Sequence, residues 1–323
     1  MIVTYDCHTA RKYKNNKKTS YVENIFNEFP IFEEIVVKQM KVYKNIPALI
    51  EKTGAIKRKG LKIGFIPTMG ALHKGHLSLI NCSQIDNPVT VVSIFVNPTQ
   101  FNNPVDLQKY PRELDNDIAL LDTILNQNDL VFTPDEKTIY PKPDNRIFNF
   151  GTLDKTMEGK HRPGHFNGVA QAVSRLFSII KPDKAYFGAK DFQQVAIIKN
   201  LIKQLNLPVE IISCPIIRES DGLALSSRNK LLSTEQRKAA AEISSVLFQA
   251  LEYSTGHSVI ETKNMVIRTV NSNPLLNVEY FEIVDPETFL PVSKWDEIPE
   301  CRGCIAVIVG KVRLIDNIKL SVR

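Results

Sequence analysis

The segment Leu61–Ile80, LKIGFIPTMGALHKGHLSLI, combines a strand pattern, a turn and a helix pattern. Its first part, Leu61–Ile66, is a short apolar run typical of a strand, and an apolar helical pattern begins at Leu77. A turn and two histidines, His73 and His76, lie between them. The histidines are therefore predicted at the carboxyl end of a strand and the amino end of a helix. Unpaired backbone N–H groups and the helix dipole make that position favourable for phosphate.

The His-x-Gly-His pair also suits phosphate chemistry. Splitting a triphosphate between its α and β phosphates develops charge on the bridging oxygen, and imidazoles can donate hydrogen bonds or carry charge near neutral pH. A zinc site is the competing interpretation, but no Cys-x-x-Cys lies nearby and four ligands are not evident. The pair favours a nucleotide site.

Composition is that of an ordinary globular protein. The chain has 323 residues, 43% hydrophobic and 24% charged, which is enough for two domains. Its longest apolar runs, such as Val91–Val96, are far shorter than the roughly 18 residues that span a bilayer, so no membrane segment is predicted. A net charge of +6 is too small to indicate nucleic acid as a partner. Five cysteines without framework spacing predict reduced thiols and a cytoplasmic location.

Residues 1–39 differ from the rest, being rich in Lys and Asn before a mixed segment. Three interpretations stay open: a start codon assigned too early, a disordered extension, or an organelle transit peptide. The acidic pair Glu33–Glu34 and the scarcity of arginine disfavour the last.

From Lys41 onward, strand and helix patterns alternate. Continuous apolar strands such as Val89–Val96 separate helices such as Gln171–Ile180, which predicts an α/β fold with a parallel sheet covered by helices on both faces. Ligands of such sheets bind beyond the carboxyl ends of the strands. After Arg228, helical patterns are followed by strands, which predicts a smaller α+β domain. The expected domains are 40–229 and 230–323.

Polar groups follow two further elements. Asn97 and Gln100 are amides just past a strand, able to bind a hydroxyl and a carboxylate. Asp115 and Asp117 stand at the head of a helix, where they are either caps favoured by the dipole or magnesium ligands.

Three more segments complete the pattern. Glu158–Gly168, EGKHRPGHFNG, is expected to be a loop, either solvated or acting as a mobile lid over phosphates. Lys190 and Asp191 stand at a helix start after a strand, placed to meet a phosphate and a ribose hydroxyl. Ser226–Arg228 forms a polar loop able to hold triphosphate oxygens. Together with the histidines, these segments indicate an adenylate-forming nucleotidyl-transfer enzyme.

These motifs closely resemble those of the pantoate–β-alanine ligases, in the same order: PTMGALHKGH, FVNPTQF, YPR, GHFNGV, FGAKDFQQ and DGLALSSRN. The resemblance runs from about Met40 to Arg323. It implies a Rossmann-like nucleotidyltransferase sheet with a smaller C-terminal α+β domain, in a homodimer. In that family pantoate attacks the α-phosphate of Mg·ATP, giving pantoyl adenylate and pyrophosphate, and β-alanine then displaces AMP.

The resemblance also implies roles for particular residues. The ATP-binding set would be Met69, Gly70, Ala71, Leu72, His73, Lys74, Gly75, His76, Gly188, Ala189, Lys190, Asp191, Ile217, Leu225, Ser226, Ser227 and Arg228. The catalytic set would be His76, His73, Lys190, Ser226, Ser227 and Arg228, with the family's proton donor falling on His76. Because an attacking carboxylate has no proton to lose, we expect the histidines to act mainly by stabilising charge.

The acid and metal sites follow from the same resemblance. Gln100 and Gln194 would bind pantoate, and Gln100 would also lie near β-alanine. Asn116 stands where some relatives have an acidic residue, which leaves Asp117 as the candidate magnesium ligand. Ala189 stands where many relatives carry glutamate. The alternative functions are another adenylylating enzyme of the same superfamily and a non-catalytic nucleotide-binding module.

Overall fold

The structure, a computed structural model, describes residues 40–321. The predicted extension, residues 1–39, lies outside the described residues. No helix within 40–321 combines the length and the apolar character needed to cross a bilayer.

The larger sheet has six strands, and every neighbouring pair runs parallel, in the order β1-β4-β3-β2-β5-β6. The strands are β1 (Lys41–Tyr43), β2 (Ile63–Thr68), β3 (Val89–Ile94), β4 (Leu130–Phe132), β5 (Lys184–Gly188) and β6 (Glu210–Cys214). The predicted parallel sheet is confirmed.

Helices connect these strands, as parallel pairing requires. They are α1 (Ile46–Arg58), α2 (Lys74–Asp86), α3 (Pro104–Lys109), α4 (Leu114–Asp122), α5 (Glu136–Ile139), α6 (Met157–His161), α7 (His165–Ile180) and α8 (Phe192–Gln204).

The two faces of the sheet carry separate apolar cores because alternate residues of each strand point to opposite sides. In β2, Phe65 faces the core formed with α1, α7 and α8, whereas its neighbour Ile66 faces the core formed with α2 and α4. Both side chains have no exposed surface. This double burial explains why the strands read as continuous apolar runs.

Strand order reverses at β2, which places a crevice at one end of the sheet. β3 and then β4 lie on one side of β2, whereas β5 and then β6 lie on the other. β2 and β5 are neighbours, and the connections that leave their carboxyl ends therefore run in opposite directions. In open parallel sheets this is where ligands bind.

The smaller sheet has three antiparallel strands in the order β7-β8-β9, which confirms the predicted change of character. The elements of this part are α9 (Thr234–Tyr253), α10 (Val259–Asn271), β7 (Leu276–Val284), β8 (Glu300–Val309) and β9 (Val312–Ser321). Buried side chains of α9 and α10 form one core with the sheet. The boundary near residue 230 stays a prediction.

A buried polar cluster joins α6 to the smaller sheet. The Glu158 side chain is 9% exposed, accepts two hydrogen bonds from the Arg313 guanidinium at 2.6 and 2.9 Å, and accepts a third from Tyr280 Oη at 2.7 Å. Burial alone would raise the pKa of Glu158, but Arg313 and Arg162 outweigh it and hold the pKa at about 2. Glu158 is therefore an ionised contact between helix α6 and the smaller sheet.

The prediction of a loop over Glu158–Gly168 was wrong, because helices α6 and α7 cover most of this segment. The glycines of this segment suggested a loop, but in the structure they lie at the ends of helices or inside them. Gly164 is the N-cap of α7 with φ +82°, which glycine adopts without strain. Gly168 lies inside α7, where a Cβ would stand 2.2 Å from the Thr99 carbonyl oxygen. The segment is packed rather than open.

Candidate active site

The turn after β2 ends in a helix cap built from two histidines. His73 is the N-cap of α2, and its Nδ1 accepts a hydrogen bond from Gly75 N at 3.1 Å. His76 Nδ1 accepts from His73 N at 3.2 Å, which completes a reciprocal capping box. The ring centroids lie 4.1 Å apart. The helix therefore begins at Lys74, three residues before the predicted start.

These contacts fix the chemical form of both rings. Burial lowers the pKa of His73 to about 4, with Lys190 acting in the same direction. Burial also holds the pKa of His76 well below its ordinary value, and His73 and Lys190 add to the effect. Both rings are thus neutral at pH 7, and because Nδ1 accepts in each, Nε2 carries the hydrogen. The pair offers two uncharged N–H donors.

The depressed pKa of His73 predicts a pH dependence. The unfolded chain binds a proton on this residue below about pH 6.5, whereas the folded chain does so only near pH 4. The unfolding free energy should therefore fall as the pH drops through this window. In an NMR titration we expect the His73 imidazole to titrate near pH 4, and Lys190→Met to raise that midpoint. A His73→Gln spectrum assigns the resonance, and a midpoint unchanged by Lys190→Met would contradict the prediction.

The turn before the histidines is held by a buried carboxylate. Ala71 has φ +50°, a conformation that costs free energy for a residue with a Cβ. Asp117, in the first turn of α4, accepts hydrogen bonds from Ala71 N at 2.9 Å and Leu72 N at 2.7 Å. Asp117 is 2% exposed. Its side chain thus stabilises the strained turn that sets the position of His73.

These contacts do not fit a magnesium ligand. Both carboxylate oxygens of Asp117 are occupied by backbone donors, and the residue does not line the cavity described below. Within 40–321 no group of three or more His, Cys, Asp or Glu could hold a metal ion. The assignment of Asp117 as a metal ligand stays a prediction without support from these contacts.

Positive side chains come from two other connections. Lys190 lies in a 3₁₀ turn after β5, and its Nζ stands 3.4 Å from Asp191 Oδ2. Ser226 caps a second 3₁₀ turn by accepting from Arg228 N at 3.2 Å. Ser227 Oγ donates to Ala71 O at 3.0 Å, which joins this loop to the histidine turn.

The amides after β3 form a fixed network. Asn97 is 1% exposed and donates to Gly168 O at 3.0 Å and to Gln100 Oε1 at 3.1 Å. The backbone carbonyl oxygen of Gln100 accepts from His165 Nδ1 at 2.8 Å, because Arg162 donates to the other ring nitrogen. Asn97 and His165 therefore orient Gln100 and leave its side-chain nitrogen near Met69 Sδ, 3.0 Å away.

Most of the predicted site residues line one cavity at the crevice between β2 and β5. Those that line it are Met69, His73, Gly75, His76, Gln100, Gly188, Lys190, Asp191, Gln194, Ile217, Leu225, Ser226, Ser227 and Arg228. Those that do not are Gly70, Ala71, Leu72, Lys74, Ala189 and Asp117. Of this second group, Ala71 and Leu72 are buried, and Lys74 is exposed.

The family model for pantoate-beta-alanine ligase matches residues 41–319, which is most of the chain. The chain belongs to the pantoate–β-alanine ligase family. Pantothenate synthetases of Bacteroides thetaiotaomicron and Porphyromonas gingivalis are 51% and 48% identical to it over 280 residues, or 87% of this chain and 99% of each relative. The resemblance stated from the sequence is confirmed.

Solved structures of the pantoate–β-alanine ligase family share the fold. Pantothenate synthetase from Thermus thermophilus has a TM-score of 0.81 at 40% identity, covering 87% of this chain and 100% of that one. The ligase from Francisella tularensis, complexed with β-γ ATP and β-alanine, has a TM-score of 0.74 at 38% identity, covering 87% of this chain and 97% of that one.

Sequence reasoning missed part of the ligase cavity. Tyr110 lines it, and the Arg228 guanidinium lies 5.7 Å from the centre of its ring and 3.2 Å from Asp106. No local pattern indicates this contact between distant residues. The apolar wall comes from one face of α7, whose dense apolar character was the available signal: Val169, Ala172, Val173 and Leu176.

The role of Asp117 in this ligase site can be tested directly. Asp117→Asn leaves one backbone N–H facing an amide hydrogen, so we expect a loss of about 1–3 kcal/mol in unfolding free energy. Activity should fall with it, while the Mg²⁺ concentration for half-maximal activity stays unchanged. Asp115→Asn, an exposed neighbour in the same helical turn, is the control. A raised Mg²⁺ requirement at unchanged stability would instead identify a metal ligand.

Proposed function

We propose that this chain is an ATP-dependent ligase that condenses pantoate with β-alanine through pantoyl adenylate, releasing pyrophosphate and AMP. The observation that carries the proposal is the cavity at the β2–β5 crevice. There, two neutral imidazole donors, Lys190 and the Ser226–Arg228 loop converge in a member of the pantoate–β-alanine ligase family.

The nucleotide would occupy the polar part of this cavity. Lys190 and Arg228 supply positive charge for the phosphates, and Ser226 and Ser227 add hydroxyls. Gly188 leaves space for a ligand, because a Cβ built there would meet no atom within 4 Å. Ile217, beyond β6, also lines the cavity and is proposed to contact the nucleoside. This arrangement supports ATP as the substrate.

The first half-reaction needs charge stabilisation more than proton transfer. A carboxylate oxygen of pantoate forms a bond to the α-phosphorus while the bond to the bridging oxygen breaks, and the electron pair leaves on pyrophosphate. The Nε2–H groups of His73 and His76 can stabilise that charge without giving up a proton, since both rings are neutral. The depressed pKa of His76 supports this role over that of an acid.

The second half-reaction joins the amine of β-alanine to the activated carbonyl. The neutral amine attacks the carbonyl carbon and a C–N bond forms. The bond from that carbon to the adenylate oxygen breaks, AMP leaves with the electron pair, and the nitrogen loses one proton to water. Gln100, held by Asn97 and His165, is proposed to bind both pantoate and β-alanine, with Gln194 as a second amide for pantoate. Pantoate also carries geminal methyl groups, for which the α7 wall offers apolar contact.

Three further features belong to the proposal. Magnesium, expected from the family resemblance, is proposed to enter as part of the Mg·ATP substrate. A homodimer and a cytoplasmic location follow from the family resemblance, and light scattering of the purified chain tests the dimer. Domains at 40–229 and 230–323 are proposed because each sheet has its own main core, although Leu223 packs in the core of the smaller sheet.

ATP–pyrophosphate exchange tests the function. Exchange should require pantoate but not β-alanine, and adding β-alanine should produce AMP and pantothenate in equal amounts. Another adenylylating enzyme would exchange without pantoate or with a different acceptor. A non-catalytic module would bind ATP and show no exchange with any acid.

A further inference from the structure

A side chain of the smaller sheet contacts the turn that carries Lys190. Asn317, in β9, is 2% exposed. Its Nδ2 donates to the carbonyl oxygens of Ala189 at 2.9 Å and of Lys190 at 3.0 Å. Both hydrogens of the Asn317 side-chain amide therefore bond to carbonyl oxygens of consecutive residues in one 3₁₀ turn.

The orientation of this amide is fixed from the other side. Asn317 Oδ1 accepts from Arg302 Nη1 at 3.4 Å, and Asn317 N donates to Asp316 Oδ1 at 2.8 Å. Asp316 in turn holds a bidentate pair with Arg218, at 2.6 and 3.0 Å. The amide nitrogen thus points to the turn, and an aspartate at this position would place oxygen against two carbonyls.

Arg302 ties the same part of the small sheet to the next helix. Its guanidinium lies 4.6 Å from the centre of the Phe192 ring, and Phe192 is the first residue of α8. The turn at 189–191 is therefore held by strand β9 at its carbonyls and by strand β8 at its end.

We propose that Asn317 is a positioning residue for Lys190: by anchoring the carbonyls of Ala189 and Lys190, it holds the lysine at the phosphate end of the cavity. The inference rests on the proposed function of Lys190 as a phosphate contact. Misplacing a reacting or binding group by about 1 Å can cost 10²-fold in rate, so a lost anchor has a measurable effect.

A double-mutant cycle tests the proposal. Asn317→Ala should lower pantoate-dependent exchange by about 10- to 100-fold. In a Lys190→Met background the same substitution should add little, because the group it positions is gone. Asn317→Asp should lose more than Asn317→Ala, and its rate relative to wild type should rise as the pH falls and the carboxyl gains a donor. Multiplicative effects of the two substitutions would overturn the proposal.

A matched destabilised variant separates positioning from general loss of structure. Val307→Ala removes a fully buried side chain from the same small sheet without contacting the turn. It should lower the melting temperature but leave exchange near the wild-type rate at temperatures where the protein is folded. Equal exchange losses in Val307→Ala and Asn317→Ala, at equal stability, would refute positioning.

The same variants distinguish this proposal from the proposed function. Calorimetric binding of Mg·ATP, without pantoate, reports the Asn317–Lys190 coupling whether or not exchange occurs. If wild type binds ATP but shows no exchange, the ligase function fails while the cycle in binding still decides the positioning role. Additive losses in ATP affinity would overturn the positioning role alone.

Discussion

His76→Ala should lower pantoate-dependent ATP–pyrophosphate exchange by about 10²- to 10³-fold, the usual cost of one lost transition-state donor. The affinity for ATP should change little, because the neutral Nε2–H meets charge that develops only as the bridging bond breaks. Single-turnover exchange and calorimetric ATP binding, measured on the same preparation, check both parts.

The His76 side chain also caps α2, so stability must be measured beside activity. Loss of the acceptor for His73 N should cost about 1 kcal/mol in unfolding free energy. His257→Ala is the control, because this histidine is exposed and contacts the backbone of its own helix end. A drop in ATP affinity parallel to the drop in exchange would show that His76 serves ground-state binding instead.

Lys190→Met should have a comparable effect on exchange and, unlike His76→Ala, should weaken ATP binding. The Lys190 side chain is 17% exposed, and its ammonium is close enough to His73 to lower the pKa of that histidine. The substitution keeps much of the length and apolar stem of the side chain but removes this charge. We expect about 10²- to 10³-fold slower exchange, as for the loss of one electrostatic group. Rapid-quench measurement of pyrophosphate release gives the rate.

Two further substitutions are compared with Lys190→Met. Lys190→Arg should restore little, because a planar guanidinium cannot replace a compact ammonium at a tightly held position. Lys199→Met, on the exposed face of α8, removes one positive charge without touching the cavity. Similar losses in Lys199→Met and Lys190→Met would show that net charge matters, and not a contact of Lys190.

Local chemistry made the main features predictable. The apolar run before Pro67 predicted a strand, and the continuous run Val89–Val96 predicted a parallel strand buried on both faces. The rule that ligands bind beyond the carboxyl ends of such strands then placed His73, Lys190 and Ser226 at one edge of the sheet. These inferences depend on short-range patterns and on the geometry of parallel sheets. They did not require knowledge of which distant residues meet.

Distant contacts and unusual caps were not predictable. Histidine is not a preferred N-cap residue, so the sequence did not indicate that α2 begins before Leu77. The carboxylate of Asp117 at a helix head reads equally as a cap or a metal ligand, and only the positions of Ala71 N and Leu72 N distinguish the two. Asn317 lies in β9 of the smaller sheet and Lys190 in the turn after β5, and no sequence periodicity links them.

The buried Glu158 carboxylate limits how this protein can be divided or recombined. A fragment ending near residue 229 would keep Glu158 but lose Tyr280 and Arg313, which hold its carboxylate. In a full-length chimera that replaced Arg313 alone, the carboxylate left buried without this partner would cost about 3–5 kcal/mol. That is a large share of the roughly 5–15 kcal/mol that stabilises a domain. Chimeras between relatives should therefore exchange these three residues as a set, and the nucleotide-binding part is not a free-standing module for engineering.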